Sequence, residues 1–302
     1  MTPIQAQSLP FIIDGKDVIG QGKTGSGKTA AFGLGVLNSL NVKLFRVQSL
    51  ILCPTRELAD QVAKEVRKLG RTIHNIKVLT LCGGVPLGPQ VGSLEHGAHI
   101  IVGTPGRIED HLRKGTLNLE HVKTLVLDEA DRMLDMGFQS ALDAIVEQVP
   151  KQRQTLLFSA TFPDQIQKIA QRIMKQPVMA KVEETHDSSS IKQYFYTVEN
   201  TAHRFTALQL LLLNHSPTST VVFCNTKRET QEVADQLIDS GFSALALHGD
   251  LEQKDRDKTL VRFANRSVSV LVATDVAARG LDIDSLDAVI NYHIARDPEI
   301  HI

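Results

Sequence analysis

Short apolar runs of strand length alternate with longer amphipathic segments along most of this chain. In the first 183 residues, six such runs predict buried strands: Val18–Ile19, Leu50–Cys53, Val78–Cys82, Ile100–Val102, Leu125–Leu127 and Leu156–Phe158. Between them lie helical patterns such as residues 56–69, whose regularly spaced apolar side chains fall on one face: Leu58, Val62, Val66 and Leu69. Because alternating strands and helices form βαβ units, we expect a parallel sheet that is covered on both sides.

A polar stretch at residues 184–190 interrupts the alternation. It lacks periodicity and contains three consecutive serines, which is typical of a linker. Five further predicted strands follow it: Tyr194–Val198, Val221–Cys224, Ala244–Leu247, Val268–Ala273 and Ala288–Tyr292. The sequence therefore predicts two α/β domains, residues 1–183 and 191–302.

Charge and cysteine usage narrow the class of protein. The formal net charge is −1, from 33 basic and 34 acidic residues. This balance argues against a protein that coats nucleic acid through charge alone, but it allows a narrow basic track.

Because no apolar run reaches the ~18 residues that span a bilayer, we expect no membrane association. Three cysteines (Cys53, Cys82 and Cys224) each end an apolar run without forming a CxxC pair, so we interpret them as buried strand residues of a cytoplasmic protein.

Residues 22–29 fit the P-loop pattern G-x-x-x-x-G-K-T. They follow a short predicted strand and open a helical pattern, which is the context that a P-loop requires. Glycines in such a loop let backbone N–H groups point toward phosphates, with a helix N-terminus behind them. We expect Lys28 to reach the β- and γ-phosphates of a nucleotide and the Thr29 hydroxyl to bind Mg²⁺.

A second feature fits the same chemistry: the buried strand at residues 124–127 leads directly into three acids. A P-loop enzyme needs a strand that ends beside the phosphates and presents an acid to Mg²⁺, and Asp128 fits that role. The next acid, Glu129, is placed to orient and deprotonate the attacking water. Hydrolysis alone leaves Asp131 without a role.

Together these motifs resemble those of the DEAD-box RNA helicases, whose name is spelled by residues 128–131. Eight further segments follow the family's order: TPIQAQ (2–7), PTRELA (54–59), GG (83–84), TPGR (104–107), SAT (159–161), VVFCNT (221–226), HGDLEQKDR (248–256) and ATDVAARGLDI (273–283). Each segment alone is a weak signal, whereas nine in order along 302 residues form a strong one. The amino-acid sequences of several segments are most similar to those of a bacterial subfamily that acts in ribosome assembly.

The resemblance implies two RecA-like P-loop domains with parallel sheets, the second incomplete at its C-terminus. ATP and Mg²⁺ would be the cofactors, and a structured or ribosomal RNA would be the partner of a monomeric protein without membrane contact. ATP and RNA would bind in the cleft between the domains, and hydrolysis would drive local unwinding of duplex RNA.

The resemblance also assigns roles to individual residues. Catalysis would rest on Lys28, Asp128 and Glu129, with Thr29 and Asp128 on the metal. The nucleotide would be bound by Gln5, which selects adenine, and by Gly25, Gly27, Lys28, Thr29, Gly280 and Asp282. The RNA would be bound by Arg56, Gly84, Thr104, Arg107, Thr226, Gln253, Arg256 and Thr274. Nucleotide state would be coupled to duplex opening by Asp131, Ser159 and Thr161.

The positions of four threonines support the RNA track independently. Each falls just past an apolar run, at the carboxyl end of a predicted parallel strand: Thr55, Thr104, Thr226 and Thr274. Open α/β sheets bind ligands at that edge, and hydroxyl groups there suit phosphate and sugar contacts. Each threonine fits an ordinary helix N-cap equally well.

Other functions remain open at this point. A nucleotide-dependent RNA clamp without net unwinding uses the same motifs. A P-loop enzyme of small molecules leaves the PTRELA and TPGR segments and the second domain without purpose, and a GTPase lacks its N-K-x-D motif. In the family, an adenine-stacking aromatic residue precedes the Q motif and an arginine-rich motif follows the position of Ile302. We therefore expect the sequence to be a fragment of a longer enzyme, with weak ATPase activity.

Overall fold

A computed structural model of the chain describes residues 1–23, 25–182, 192–200, 202–274 and 286–293. The chain divides into two compact units, Met1–His186 and Asp187–Ile302. The predicted linker at residues 184–190 lies outside the described residues. Within the described ranges, every helix is too short or too polar to cross a membrane.

The first unit is built on a seven-stranded sheet in which all neighbouring strands are parallel. Its strands are β1 (Val18–Gln21), β2 (Ser49–Leu52), β3 (Val78–Leu81), β4 (Ile100–Gly103), β5 (Thr124–Leu127), β6 (Gln154–Ser159) and β7 (Val178–Lys181). They lie in the spatial order β3-β4-β2-β5-β6-β1-β7. The loops after β1, β5 and β6 therefore share one half of the carboxyl edge, and those after β2, β3 and β4 share the other.

In the described part of this unit, eight helices cover the sheet: α1 (Pro3–Ile13), α2 (Lys28–Asn38), α3 (Arg56–Leu69), α4 (Leu87–Glu95), α5 (Pro105–Arg113), α6 (Ala130–Asp135), α7 (Gln139–Gln148) and α8 (Asp164–Ile173). Alternate residues of β2 and of the position after it pack into two separate apolar clusters: Leu50 and Leu52 join one, and Ile51 and Cys53 join the other. The sheet is thus buried on both faces, as the unbroken apolar runs predicted.

The second unit contains a four-stranded parallel sheet in the order β11-β8-β10-β9. Its strands are β8 (Thr220–Cys224), β9 (Ala244–Leu247), β10 (Val270–Thr274) and β11 (Ala288–Asn291). Among the described residues of this unit, three helices accompany them: α9 (Ala202–His215), α10 (Lys227–Asp239) and α11 (Gln253–Ala264). The predicted fold class, two α/β domains with parallel sheets, is confirmed.

One predicted strand is wrong, and one strand of the structure was not predicted. The predicted strand Tyr194–Val198 is wrong, because residues 192–200 contain no strand and Phe195 is 93% exposed. Conversely, β7 was not predicted. Of its four residues only Ala180 is buried, although three are apolar and the strand pairs with β1 along its whole length.

Candidate functional site

The loop after β1 has the conformation that its glycines permit. Gly25 and Gly27 have φ angles of 79° and 93°, in the left-handed region where other residues are strained. Gly27 is the N-cap of α2 and has no side chain to occupy that end, so the first N–H groups of the helix are left for an anion. The buried Lys28 folds back across the loop, and its Nζ donates to the Gly22 carbonyl at 2.6 Å.

Gln5 lies against this loop and is held there by two sets of contacts. Its Nε2 donates to the Gly27 carbonyl at 3.1 Å, and its Oε1 accepts the N–H of Thr2 at 3.0 Å. The Thr2 hydroxyl accepts the N–H of Gln5 in return, which completes a capping box at the start of α1. A Cβ added at Gly27 would come within 2.5 Å of Gln5 Nε2. The structure thus brings Gln5 to the P-loop, while its predicted contact with adenine stays a prediction.

Asp128 follows β5 and is almost fully buried, with 2% of its surface exposed. Its N–H donates to the Leu52 carbonyl of the neighbouring strand at 2.9 Å. Burial raises the pKa of Asp128 to about 7, the Lys28 ammonium opposes that rise, and the Glu129 carboxylate adds to it. The field of Lys28 therefore acts on Asp128, as the P-loop interpretation requires.

Glu129 occupies a strained position between β5 and α6. Its φ is 52°, and its N–H donates to Asp128 Oδ1 at 3.1 Å. The Glu129 carboxylate is buried and accepts Nη1 of Arg132 at 2.6 Å. A non-glycine residue in the left-handed region costs about 1–2 kcal/mol, so the surrounding contacts must hold Glu129 in place.

Asp131 joins the loop after β5 to the loop after β6. Its Oδ2 accepts both the N–H and the hydroxyl of Thr161, each at 2.8 Å. Its own N–H donates to Ser159 Oγ at 3.2 Å. Neighbouring parallel strands bring these groups together, although about 30 residues separate them in sequence. This contact supplies the role for Asp131 that hydrolysis alone did not, and the coupling function of the three residues stays a prediction.

The chemistry of these groups suits Mg²⁺ bound together with a nucleotide. In the part of the chain that the structure describes, no group of three His, Cys, Asp or Glu side chains is placed to hold a metal ion. A nucleotide-bound Mg²⁺ needs fewer protein ligands, because water and phosphate oxygens supply the rest. The buried carboxylate of Asp128 and the hydroxyl of Thr29 in the first turn of α2 match that requirement.

The other half of the carboxyl edge carries the predicted RNA-binding residues of the first unit. Arg56 begins α3, and Thr55 before it caps that helix by accepting the N–H of Leu58 at 3.2 Å. Thr104 instead accepts the N–H of Gly83 at 3.4 Å and so joins the TPGR and GG segments. Two further predicted residues lie in the same region: Gly84 with a φ of 76°, and Arg107 in α5.

The second unit presents its predicted residues at one edge as well. Thr226 follows β8 and caps α10 by accepting the N–H of Glu229 at 3.3 Å. Thr274 ends β10, which neighbours β8. Gln253 and Arg256 share the first turn of α11, where the Gln253 amide donates to Asp257 at 2.9 Å. The predicted nucleotide contacts of this unit, Gly280 and Asp282, lie outside the described residues.

Comparison with known protein families agrees with this arrangement. The model of the DEAD/DEAH box helicases matches residues 2–169, and that of the helicase conserved C-terminal domain matches residues 203–302. The chain belongs to the DEAD/DEAH box helicase family. The predicted resemblance is confirmed.

Two curated relatives of this DEAD-box chain match its whole length. It is 58% identical over 302 residues to the ATP-dependent RNA helicase DbpA of Escherichia coli (strain K12). It is 47% identical over 301 residues to the DEAD-box ATP-dependent RNA helicase CshA of Geobacillus kaustophilus (strain HTA426). The matched region is 66% and 64% of these relatives, so the chain spans slightly less than two thirds of their length.

Solved structures share its architecture. Dbp5 of S. cerevisiae, bound to RNA and ADP BeF3, has a TM-score of 0.85 at 30% identity and matches 99% of this chain and 76% of its own. A DEAD box protein from the hyperthermophile Methanococcus jannaschii is 42% identical, with a TM-score of 0.58 and coverage of 99% and 80%. Two RecA-like domains, the fold expected from the resemblance, are thereby confirmed.

The structure of this DEAD-box chain adds three residues that the sequence did not single out. Arg132 binds the Glu129 carboxylate, and Gln90 and His111 form buried contacts around Arg107. None belongs to a motif whose spacing indicates a function. A helical pattern at residues 130–135 would have placed Arg132 one turn from Glu129, whereas no sequence signal pointed to Gln90 or His111.

Proposed function

We propose that this chain acts as an ATP-dependent RNA helicase core. It binds ATP·Mg²⁺ and RNA, and it couples ATP hydrolysis to local unwinding of duplex RNA. The observation that carries this proposal is the convergence of the P-loop, the Asp128–Glu129 pair and the SAT segment on one half of a sheet edge. The relatives DbpA and CshA are ATP-dependent RNA helicases by name, and Dbp5 is bound to RNA in its structure, which supports the same activity.

In ATP hydrolysis, each of the predicted catalytic residues of the first unit has a separate role. Lys28 supplies positive charge to the phosphates, and backbone N–H groups of the P-loop and α2 hold their oxygens. Asp128 and Thr29 would hold Mg²⁺, which would supply further charge stabilisation when bound. The Glu129 carboxylate accepts the proton of the attacking water while the bond between the γ-phosphorus and the bridging oxygen breaks and ADP leaves. Gln5 selects adenine.

RNA is bound through its sugar–phosphate backbone by predicted residues of both units. In the first unit these are Arg56, Gly84, Thr104 and Arg107, and in the second Thr226, Gln253, Arg256 and Thr274. Hydroxyl groups, backbone N–H groups and arginines of this kind read phosphate and the 2′-OH rather than base identity. From the resemblance of its motifs to a bacterial subfamily, we further propose that the RNA is structured or ribosomal and that the protein acts in ribosome assembly as a cytoplasmic monomer.

Phosphate release by the full-length protein tests this proposal. We expect hydrolysis of ATP to rise on addition of a short RNA duplex with a single-stranded extension, and strand release to require ATP. A non-hydrolysable ATP analogue is the matched control. RNA-stimulated hydrolysis without strand release would identify a nucleotide-dependent clamp. A rate of ATP hydrolysis that does not change when RNA is added would refute the RNA helicase proposal.

A further inference from the structure

A buried hydrogen-bond network ties Arg107 to the loop at residues 83–85. Arg107 donates from Nη1 to Gln90 Oε1 at 3.0 Å and from Nη2 to the Val85 carbonyl at 2.9 Å. Gln90 Nε2 donates in turn to the Cys82 carbonyl at 3.0 Å. Both ends of the loop are therefore held, one by Gln90 directly and the other through Arg107.

His111 fixes the orientation of the Gln90 amide. Its ring is fully buried, and its Nε2 lies 2.9 Å from Gln90 Oε1. The Gln90 oxygen already accepts from Arg107, and its nitrogen faces a carbonyl, so the group that His111 meets is an acceptor. The hydrogen therefore sits on His111 Nε2, which donates to Gln90. Burial lowers the pKa of His111, and the charge of Arg107 lowers it further.

The partners of Arg107 orient its charge without neutralising it. Gln90 and the Val85 carbonyl are both neutral acceptors. Among the residues that the structure describes, no carboxylate forms an ion pair with Arg107, and its buried Nε has no hydrogen-bond partner. A guanidinium held in this way keeps its full charge for an anion, and arginine is well suited to phosphate.

We infer that Gln90 is a positioning residue for RNA binding, which holds loop 83–85 and the Arg107 guanidinium in the arrangement that contacts an RNA phosphate. His111 supports Gln90 in that role. With 8% of its surface exposed, Gln90 acts through its neighbours rather than by touching the ligand. This inference rests on the proposed function, because it requires an RNA ligand.

Binding of a single-stranded oligouridylate, in the presence of a non-hydrolysable ATP analogue, tests this role at several salt concentrations. Gln90→Met keeps the side-chain volume and removes the amide. We expect RNA affinity to fall about tenfold, as the loss of a hydrogen bond to a charged group implies. The slope of log affinity against log salt should shrink by about 0.7, the value of one phosphate contact on a single strand. Affinity for the ATP analogue should remain that of the parent. Gln139→Met, an exposed substitution in α7, is the matched control.

A second variant separates positioning from packing. Gln90→Glu keeps the shape and the acceptor toward Arg107, but its negative charge neutralises the guanidinium. We expect weaker RNA binding and the same loss of salt slope, at equal concentration of folded protein. If Gln90 serves packing alone, folded Gln90→Glu binds RNA like the parent, and the inference is overturned even where Gln90→Met fails to fold. If the parent itself binds no RNA, the proposed function fails instead.

Discussion

The link between Asp131 and Thr161 can be weakened without changing the shape of either side chain. In Asp131→Asn one carboxylate oxygen becomes an NH₂ group, which donates and does not accept. In the parent, Oδ2 accepts two hydrogens of Thr161 and Oδ1 accepts the N–H of Arg132 at 3.0 Å. The single oxygen of asparagine satisfies one of these sites, and the other faces a donor.

The expected loss follows from these contacts. A hydrogen bond to a charged group is worth about 1.5–3 kcal/mol and a neutral one about 0.5–1.5 kcal/mol, so the two bonds to Thr161 lose about 2 kcal/mol together. Thr161 is exposed, and solvent reduces this to about 1 kcal/mol. Asp131 also lies in the first turn of α6, where its negative charge contributes about 0.3–1 kcal/mol. The total of about 1–2 kcal/mol corresponds to about 5–30-fold in the local opening equilibrium.

Amide hydrogen exchange of Thr161 measures this opening directly. We expect its exchange to be about 5–30-fold faster in Asp131→Asn. The N–H of Gly22, which donates to the Ser159 carbonyl at 3.1 Å, should exchange as in the parent. Asp135→Asn, an exposed substitution at the other end of α6, is the control for loss of charge alone. Exchange of Thr161 at the parent rate in Asp131→Asn would refute the link.

Three further predictions concern the nucleotide site and the thiols. Lys28→Ala should weaken ATP binding strongly while the fold is retained, because it removes a buried cation beside the phosphates. If a fluorescence titration gave Lys28→Ala the same ATP affinity as the parent, the P-loop interpretation would be contradicted. Glu129→Gln should bind ATP and RNA normally and lose about 10²–10⁴ in turnover, so an unchanged kcat would remove Glu129 from the mechanism. In the folded protein, iodoacetamide should spare Cys53 and Cys82, because burial raises the pKa of both thiols, that of Cys82 to about 12. Mass spectrometry would detect labelling, and rapid labelling would contradict this prediction.

Strands buried on both faces could be predicted from sequence because each consists of an apolar run. β7 carries only a short apolar run, Val178–Ala180, and most of its side chains remain outside the core although the strand pairs with β1. The segment at residues 194–198 shows the opposite case. Its aromatic and β-branched residues favour a strand, yet a strand also needs a neighbour, and none of the described strands pairs with it.

The candidate site likewise contains residues that could be predicted from the sequence and contacts that could not. Lys28 could be found because the P-loop pattern precedes a helix, and Asp128 and Glu129 could be found because they directly follow the apolar run of β5. The partners of Asp131 could not be found by spacing, since only the adjacency of β5 and β6 brings Thr161 within 2.8 Å. The network around Gln90 could not be predicted from sequence spacing either, because it joins side chains of two helices to the end of a strand.

At Glu129 the residue that best suits the left-handed backbone differs from the residue that the proposed reaction needs. Asparagine is more easily accommodated at a φ of 52° than glutamate, so its introduction would relieve part of a strain of about 1–2 kcal/mol. The same change would shorten the side chain that we propose as the base. A screen for heat resistance would therefore favour losing Glu129, and a screen for turnover would keep it. Engineers who seek a more robust version of this domain should leave residue 129 unchanged and look for stability elsewhere.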